Sequence, residues 1–286
     1  MYSLVAAIAF GSLFAILFKL FQRHGVDSLQ AIGVNYATAL IISLVSNYSL
    51  MSTTIEVGAW FVPALFAGLF MMAGFVTMNI ATRSHGVAIA TVAARVAFVV
   101  PVLCAFLFLG GDAPRWLASA LVICSLLLIF PQRGNSTGGG SWRWVYPLLV
   151  FVSYGVANFM LKVCQLQVAN EGGGDAALVM VTATAFLAAL IYTIAYYYMQ
   201  PRETRAPFAM RNVWAGIVLG GVNMGCTYFL LKSLMVIESA VFYPVYNIAI
   251  VIIASLVGRV GFGEKLSRMQ YAGIAVALLA IVLFFG

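Results

Sequence analysis

AALVMVTATAFLAALIYTIAYYYM occupies residues 176–199 and contains no charged side chain. A helix of about 20 apolar residues is long enough to cross the hydrocarbon core of a bilayer, which is about 30 Å thick. A transmembrane β-strand would instead alternate apolar and polar residues over about ten positions. This stretch therefore predicts a membrane-spanning helix.

The composition of the whole chain agrees with a membrane protein. Of its 286 residues, 64% are hydrophobic and only 8% are charged, whereas a soluble domain carries about 25% charged residues. A soluble enzyme or binding domain is therefore excluded, and the high apolar content excludes a disordered chain. The net charge of +7 comes from basic residues scattered among short loops, which is typical of topogenic charge rather than of nucleic-acid binding.

Similar apolar stretches recur along the chain and predict an all-α integral membrane protein with ten transmembrane helices. The predicted spans are 2–20, 28–49, 58–82, 86–109, 115–131, 144–168, 176–199, 212–235, 237–260 and 268–285. Asp27 and Asp175 each precede a span, so we expect both side chains to act as helix N-caps.

The ten spans divide into two halves of five. A glycine- and serine-rich linker at 132–143 separates a first repeat, 1–131, from a second repeat, 144–286. Short features recur across the linker, and Asp112 matches Glu264 at a shift of 152 residues. Because five is odd, the second repeat would enter the membrane inverted, and inverted repeats are typical of secondary transporters.

Two stretches carry a resemblance to a known family. GFGEKLSRMQYAGIAVALLAIVLFF (261–285) resembles the end of an EamA-type repeat of the drug/metabolite transporter superfamily, with a Gly-Glu pair, a Leu-Ser turn and a Gln in the last helix. The stretch 101–130 is a weaker counterpart, with Asp112 in place of the usual Glu and no Leu-Ser turn. The resemblance implies a ten-helix transporter whose fifth and tenth spans are peripheral, and it leaves the substrate open.

Basic residues in short loops predict the orientation of the chain. The connections that follow the odd-numbered spans hold eleven Lys and Arg residues and the other connections hold three. The first group is Lys19, Arg23, Arg83, Arg133, Arg143, Arg202, Arg205, Arg211, Arg259, Lys265 and Arg268, and the second is Arg115, Lys162 and Lys232. The count predicts a multi-pass protein of the inner (cell) membrane with both termini outside.

Arg95 is the remaining basic residue, and it lies about halfway along the fourth predicted span. A charge at the bilayer centre costs at least about 2.5 kcal/mol, so such residues usually face a cavity or a substrate pathway. The shift of 152 residues pairs Arg95 with Asn247, midway along the ninth span. We expect Arg95 to bind a carboxylate or phosphate of the substrate and Asn247 to supply neutral hydrogen bonds. The alternative is a structural arginine satisfied by backbone carbonyls.

Other polar residues within the spans are candidates for the same cavity, although each alone also fits a packing role. The amides are Asn79, Asn158 and Asn223, and the hydroxyls are Tyr36, Tyr154, Tyr243 and Tyr246. Pro101 and Pro244 are candidate gating positions, because each can kink a helix near Arg95 or Asn247.

All eight acidic residues fall in connections or at span ends. This disfavours a proton-coupled exporter of lipophilic cations, which needs a carboxylate inside the membrane. No catalytic motif or metal-ligand spacing is present, so we expect no enzyme activity, no metal and no cofactor.

The sequence predicts a secondary active transporter that moves a small anionic or zwitterionic metabolite by alternating access. Its partners would be the substrate, the lipid bilayer and either a coupling proton or an exchanged substrate, and it would be a monomer or a weak dimer. The alternatives are a multidrug exporter of the same fold and a membrane-embedded enzyme that acts on lipid.

Overall fold

The fold is described by a computed structural model. It covers residues 2–46, 58–85, 87–109, 116–129, 145–201, 203, 205–262 and 267–285, and these form helices without any strand. The helices are α1 (Tyr2–Arg23), α2 (Ser28–Ser46), α3 (Phe61–His85), α4 (Val87–Val96), α5 (Val99–Phe108), α6 (Trp116–Ile129), α7 (Val145–Asn170), α8 (Asp175–Met199), α9 (Met210–Leu234), α10 (Ser239–Phe262) and α11 (Arg268–Phe285).

Seven helical stretches in the described part of the chain are long and apolar enough to cross a membrane. They are Ser28–Ser46, Phe61–Ala81, Ala90–Phe108, Val145–Asn170, Asp175–Met199, Met210–Leu234 and Ser239–Val257. Three shorter apolar helices lie at Tyr2–Phe14, Trp116–Leu128 and Arg268–Leu283. The described residues thus have the all-helical character predicted from composition, with helices long and apolar enough to span a membrane.

The chain forms two compact units. The first contains Met1–Met72 and Met160–Val236, and the second contains Ala73–Phe159 and Ile237–Gly286. Each unit therefore combines segments from both sides of the predicted linker, and α3 and α7 contribute to both. The linker itself, 132–143, lies outside the described residues, as do Asp112 and Glu264.

In the first unit, α9 packs closely against α1 and α2, and α2 packs against α8. Two glycines of α9 allow this approach. A Cβ atom at Gly216 would lie 2.6 Å from the Ala31 carbonyl oxygen, and one at Gly220 would lie 2.7 Å from the Asn35 carbonyl oxygen. Small residues commonly permit such close helix pairs in membranes, where packing rather than water exclusion drives association.

Loop contacts mark the two ends of the first unit. At one end, the Gln30 side-chain amide donates to the Ala206 carbonyl at 2.8 Å, which joins the start of α2 to the α8–α9 connection. At the other end, the backbone N–H of Ala59 donates to the Glu171 carboxylate at 2.8 Å, which joins the α2–α3 and α7–α8 connections. The connections therefore alternate between the two ends, as they must in a bundle of spanning helices.

Of the two predicted N-caps, one is confirmed and one is wrong. The Asp27 carboxylate accepts the backbone N–H of Gln30 at 2.9 Å and so caps α2. Asp175 is instead the first residue of α8, and Gly174 occupies the N-cap position without a side-chain bond. The Asp175 carboxylate forms an ion pair with Lys232 at 2.6 Å, because the end of α9 brings that ammonium group within reach.

In the second unit, α11 packs along α6. α11 begins with a capping box, in which the Ser267 N–H donates to Gln270 Oε1 at 2.7 Å and the Gln270 N–H donates to Ser267 Oγ at 3.3 Å. These are the Ser and Gln of the stretch that resembles the EamA-type repeat. Their spacing thus has a local physical reason, since it satisfies backbone donors at a helix start.

The fourth predicted span, 86–109, is not one helix but two, α4 and α5, which are interrupted at Ala97 and Phe98. Pro101 explains the interruption, because a proline has no N–H to donate to the carbonyl four residues earlier and its ring crowds that carbonyl. The Ala97 carbonyl instead accepts the Val100 N–H at 3.1 Å, in a tighter turn. Pro244, in contrast, lies inside the continuous helix α10.

Candidate functional site

Arg95 lies in the last turn of α4, directly before the interruption. The free carbonyls at the C-terminus of a helix carry partial negative charge, which stabilises a cation there. α5 begins at Val99, and the side chain of its N-cap residue, Phe98, makes no capping hydrogen bond. The positive end of α5 therefore also lies at the interruption. This geometry gives the middle of the span a cation next to a helix N-terminus.

Arg95 and Asn247 are brought together by the fold. Arg95 Nη1 donates a hydrogen bond to Asn247 Oδ1 over 3.4 Å. Asn247 is only 6% exposed, and Arg95 is half-buried. The two residues that the 152-residue shift pairs are thus neighbours within the second unit. This long bond to a neutral amide uses one of the five guanidinium N–H groups. The other four do not bond to Asn247.

Tyr243 and Asn158 extend this contact into a chain of hydrogen bonds. Asn247 Nδ2 donates to the Tyr243 carbonyl at 2.9 Å, and the Tyr243 hydroxyl donates to the Asn158 carbonyl at 2.7 Å. Tyr243 is fully buried. Asn158 therefore enters the network through its backbone, whereas the sequence suggested its side-chain amide. The chain fixes the Asn247 amide so that its oxygen faces Arg95.

Further predicted residues lie on the same elements. Tyr154 is one turn before Asn158 on α7. Its ring packs against a cluster that includes Ala81 and Ala90. Tyr246 stacks on Phe242, with ring centroids 5.3 Å apart. Asn79 is half-buried on α3.

The two candidate gating prolines are both buried. Pro101 lies in the first turn of α5, next to the interruption, and Pro244 lies between Tyr243 and Asn247 on α10. α7 approaches α5 closely at the same level, since a Cβ atom at Gly155 would lie 2.5 Å from Val100 Cγ2. α7 therefore packs closely against the first turn of α5, directly after the interruption.

Asn223 and Tyr36 belong to the first unit and not to the unit that contains Arg95. The Asn223 amide donates to Asn35 Oδ1 at 3.1 Å, and both side chains are buried between α9 and α2. The Tyr36 ring lies near Phe186. Asn223 thus has a local bridging partner of the kind that buried amides need in membranes, and its predicted role in substrate binding stays a prediction.

Sequence reasoning missed Lys162, which it assigned to a helix end. Lys162 is only 6% exposed and lies eight residues before the end of α7 at Asn170. Its ammonium group donates to Gln165 Oε1 at 2.7 Å, and Gln165 is itself buried. Lys162 therefore lies buried within α7 and not in the connection in which the charge count placed it. The signal was the Lys-x-x-Gln spacing, which places both side chains on one helix face.

Histidine, cysteine and acidic side chains do not cluster in the part of the chain that the structure describes, where no group of three or more could hold a metal ion. The arrangement around Arg95 offers hydrogen-bond donors and a positive charge. Chemically it is suited to binding an anion.

Replacing Tyr243 with phenylalanine tests the hydrogen-bond chain. We expect the free energy of unfolding to fall by about 1 kcal/mol, because the variant loses one buried hydrogen bond. Thermal unfolding in detergent, followed by circular dichroism, measures this loss. Tyr192→Phe is the control, since Tyr192 is 38% exposed, and it should unfold like the wild type. Equal stability of both variants would contradict the role given to the Tyr243 hydroxyl.

Comparison with known proteins shows the fold and leaves function open. No protein-family model matches the sequence. An uncharacterized protein of Haemophilus influenzae is 25% identical over 293 aligned positions, which cover 98% of this chain and 96% of that protein. A protein of known crystal structure is similar with a TM-score of 0.73 and 13% identity, over 99% of this chain and 94% of the other. The chain therefore has the fold of that crystallised protein along nearly its whole length.

Proposed function

We propose that the protein is a secondary active transporter of the EamA type, within the drug/metabolite transporter superfamily, and that it is not an enzyme. It moves a small polar or amphipathic metabolite, anionic or zwitterionic, by alternating access. Its partners are the substrate and the bilayer, and a proton or an exchanged substrate supplies the coupling.

The contact between Arg95 and Asn247 carries this proposal. It places a cation, whose side-chain hydrogen bond within the described residues is one long contact with a neutral amide, at an interrupted apolar helix. Interrupted helices with charged groups near the middle of a span are recurrent features of transporter binding sites. A structural protein would have no reason to retain an arginine at this depth, given its insertion cost.

Three features support the five-plus-five organisation. The seven long apolar helices and the three shorter ones add up to the number that two five-helix repeats require. Arg95 and Asn247 lie 152 residues apart and meet, as equivalent positions of an inverted repeat do near its axis. Each compact unit also draws on both halves of the sequence.

The proposed location is the inner membrane, with both termini outside, and the proposed state is a monomer or a weak dimer. The orientation rests on the excess of Lys and Arg in the connections that follow the odd-numbered spans. The α8–α9 connection, which belongs to this basic group, contacts the start of α2 through Gln30.

Transport is tested with the full chain in proteoliposomes. A thermal-shift screen of metabolites first selects compounds that stabilise the purified protein, and their radiolabelled forms are then offered to the vesicles. We expect saturable uptake that exceeds that of protein-free vesicles and that is lost in Arg95→Ala. Chemical turnover of a bound compound or of the lipid, without any net or exchange movement of label, would contradict transport.

A further inference from the structure

We propose that an anionic phospholipid binds at the start of α9, with its phosphate at Arg211 and Arg23 and its acyl chains along the exposed face of α9. This site lies within the first unit and does not involve Arg95. The inference requires that the chain lies in a membrane, and it does not depend on transport.

Arg211 lies beside the turn between α1 and α2. It is the second residue of α9, and it is exposed. Its Nη1 and Nη2 atoms lie 4.0 Å from the position that a Cβ atom would occupy at Gly25. Arg23, the last residue of α1, is also exposed and lies two residues before Gly25. Covalent geometry keeps the Cα atoms of Arg23 and Gly25 within about 7.6 Å of each other. Two cations therefore lie at the same turn.

Hydrogen bonds hold this turn and the start of α9 together. The backbone N–H of Asp27 donates to Asn212 Oδ1 at 3.0 Å, and Asn212 Nδ2 donates to Gln30 Oε1 at 2.8 Å. Asn212 follows Arg211 directly and is only 2% exposed. The backbone at Arg211 is therefore fixed beside the turn before any ligand binds, which lowers the ordering cost of binding.

The charge of these two arginines is not balanced locally. Within the part of the chain that the structure describes, neither guanidinium forms a hydrogen bond or an ion pair. By sequence, the stretches 19–27 and 200–211 contain five Lys and Arg residues and two acidic residues. The acidic residues are Asp27, whose carboxylate caps α2, and Glu203, which is exposed. Basic clusters at the ends of spanning helices attract the headgroups of anionic lipids.

The face of α9 that carries Arg211 is otherwise apolar and exposed. Trp214 is 64% exposed and Val218 is 52% exposed. They follow Arg211 by three and seven residues, which is the spacing of one helix face. In a bilayer this face meets lipid chains, and tryptophan is favoured at the level of the headgroups. A phospholipid with its phosphate at Arg211 places its chains along Trp214 and Val218, whereas a free phosphate gains nothing from them.

Three short ligands that share a phosphate group test this inference. Calorimetric titration of the purified full chain in a neutral detergent compares dioctanoyl phosphatidylglycerol with dioctanoyl phosphatidylcholine and with glycerol 3-phosphate. The first is a net anion, the second is a zwitterion, and the third has no acyl chain. We expect phosphatidylglycerol to bind about fivefold more tightly than either, or better, since each basic residue near the membrane surface contributes about that factor. An affinity for phosphatidylglycerol no greater than that for either other compound would overturn the inference.

Matched arginine variants locate the anion. Arg211→Gln should weaken phosphatidylglycerol binding about fivefold, and adding Arg23→Gln should weaken it further. Arg211→Lys should keep most of the affinity, because it keeps the charge. Arg268→Gln removes an exposed arginine of the second unit and should bind like the wild type. Unchanged binding by Arg211→Gln, or an equal loss in Arg268→Gln, would show attraction to net charge alone and contradict the site.

Trp214→Ala tests the contact with the acyl chains. Because Trp214 is largely exposed, the variant should unfold at the wild-type temperature when lipid is absent. It should weaken binding of both lipids by the same factor and retain the preference for phosphatidylglycerol, since the ring contacts the chains and not the headgroup. Full affinity of Trp214→Ala for both lipids would place the chains elsewhere and overturn the inference.

Discussion

Arg95→Gln is expected to abolish binding and transport of the anionic substrate while the protein remains folded. Removing one partner of a desolvated charge pair costs about 2–5 kcal/mol, which corresponds to a dissociation constant at least about 30-fold higher. Glutamine retains hydrogen-bonding groups that can reach toward Asn247, but it has no charge. Titration of the purified variant measures the affinity, and proteoliposome uptake measures transport. Arg95→Lys should retain part of the affinity, because it keeps the charge but loses the planar fork of donors.

Stability distinguishes a binding arginine from a structural one. An arginine that serves binding lowers stability, because a charge in the membrane interior costs free energy. Its removal should therefore leave the unfolding temperature unchanged or raise it. A structural arginine would instead be needed for packing, and Arg95→Gln would then unfold at a lower temperature. Loss of stability together with unchanged substrate affinity would contradict the role proposed for Arg95. Arg268→Gln, at an exposed position, controls for a change in net charge.

Gly220→Ala is expected to separate α9 from α2 and to destabilise the first unit. The new Cβ atom would lie 2.7 Å from the Asn35 carbonyl oxygen and 2.6 Å from Thr38 Cβ. Backbone and a β-branched side chain cannot move aside easily, so the helices themselves must shift. Overpacking of this kind costs about 1–3 kcal/mol, and the hydrogen bond between Asn223 and Asn35 should weaken with it. Thermal unfolding in detergent, followed by circular dichroism, measures the loss.

Gly221→Ala provides a matched control one residue further along α9. A Cβ atom there would meet only Ile42 Cδ1 at 3.9 Å, which is ordinary van der Waals contact. Both substitutions raise helix propensity equally, so their difference isolates the contact with α2. We expect Gly221→Ala to unfold at or above the temperature of the wild type. A Gly220→Ala variant as stable as Gly221→Ala would show that the α2–α9 approach is less close than described.

The composition and the apolar stretches were sufficient to predict the helical class, because a bilayer leaves few ways to satisfy backbone hydrogen bonds. They also located most of the helices. They did not predict the division of the fourth span, since the effect of a proline depends on its position and its neighbours. Pro101 interrupts a span and Pro244 does not, although both are flanked by similar apolar residues.

Part of the candidate site could also be predicted from the sequence, and part could not. Arg95 is conspicuous in the sequence because it is a charge in an apolar span, and the shift of 152 residues pointed to Asn247. The contribution of Asn158 through its backbone, the bridging role of Asn223 and the burial of Lys162 were not visible, because each depends on which helix lies opposite. Asp175 was misjudged for the same reason, since Lys232 is 57 residues away in sequence.

The sequence by itself determined that the chain is helical and suited to a membrane, and that one arginine lies deep within a span. These properties follow from local composition, because lipid acts on every apolar segment in the same way. Only the tertiary structure decided that Arg95 meets Asn247 at an interrupted helix, and that Tyr243 and Asn158 hold that amide in place. Such contacts depend on helix pairing, which shape, small residues and a few buried hydrogen bonds select among many apolar faces that look alike in sequence.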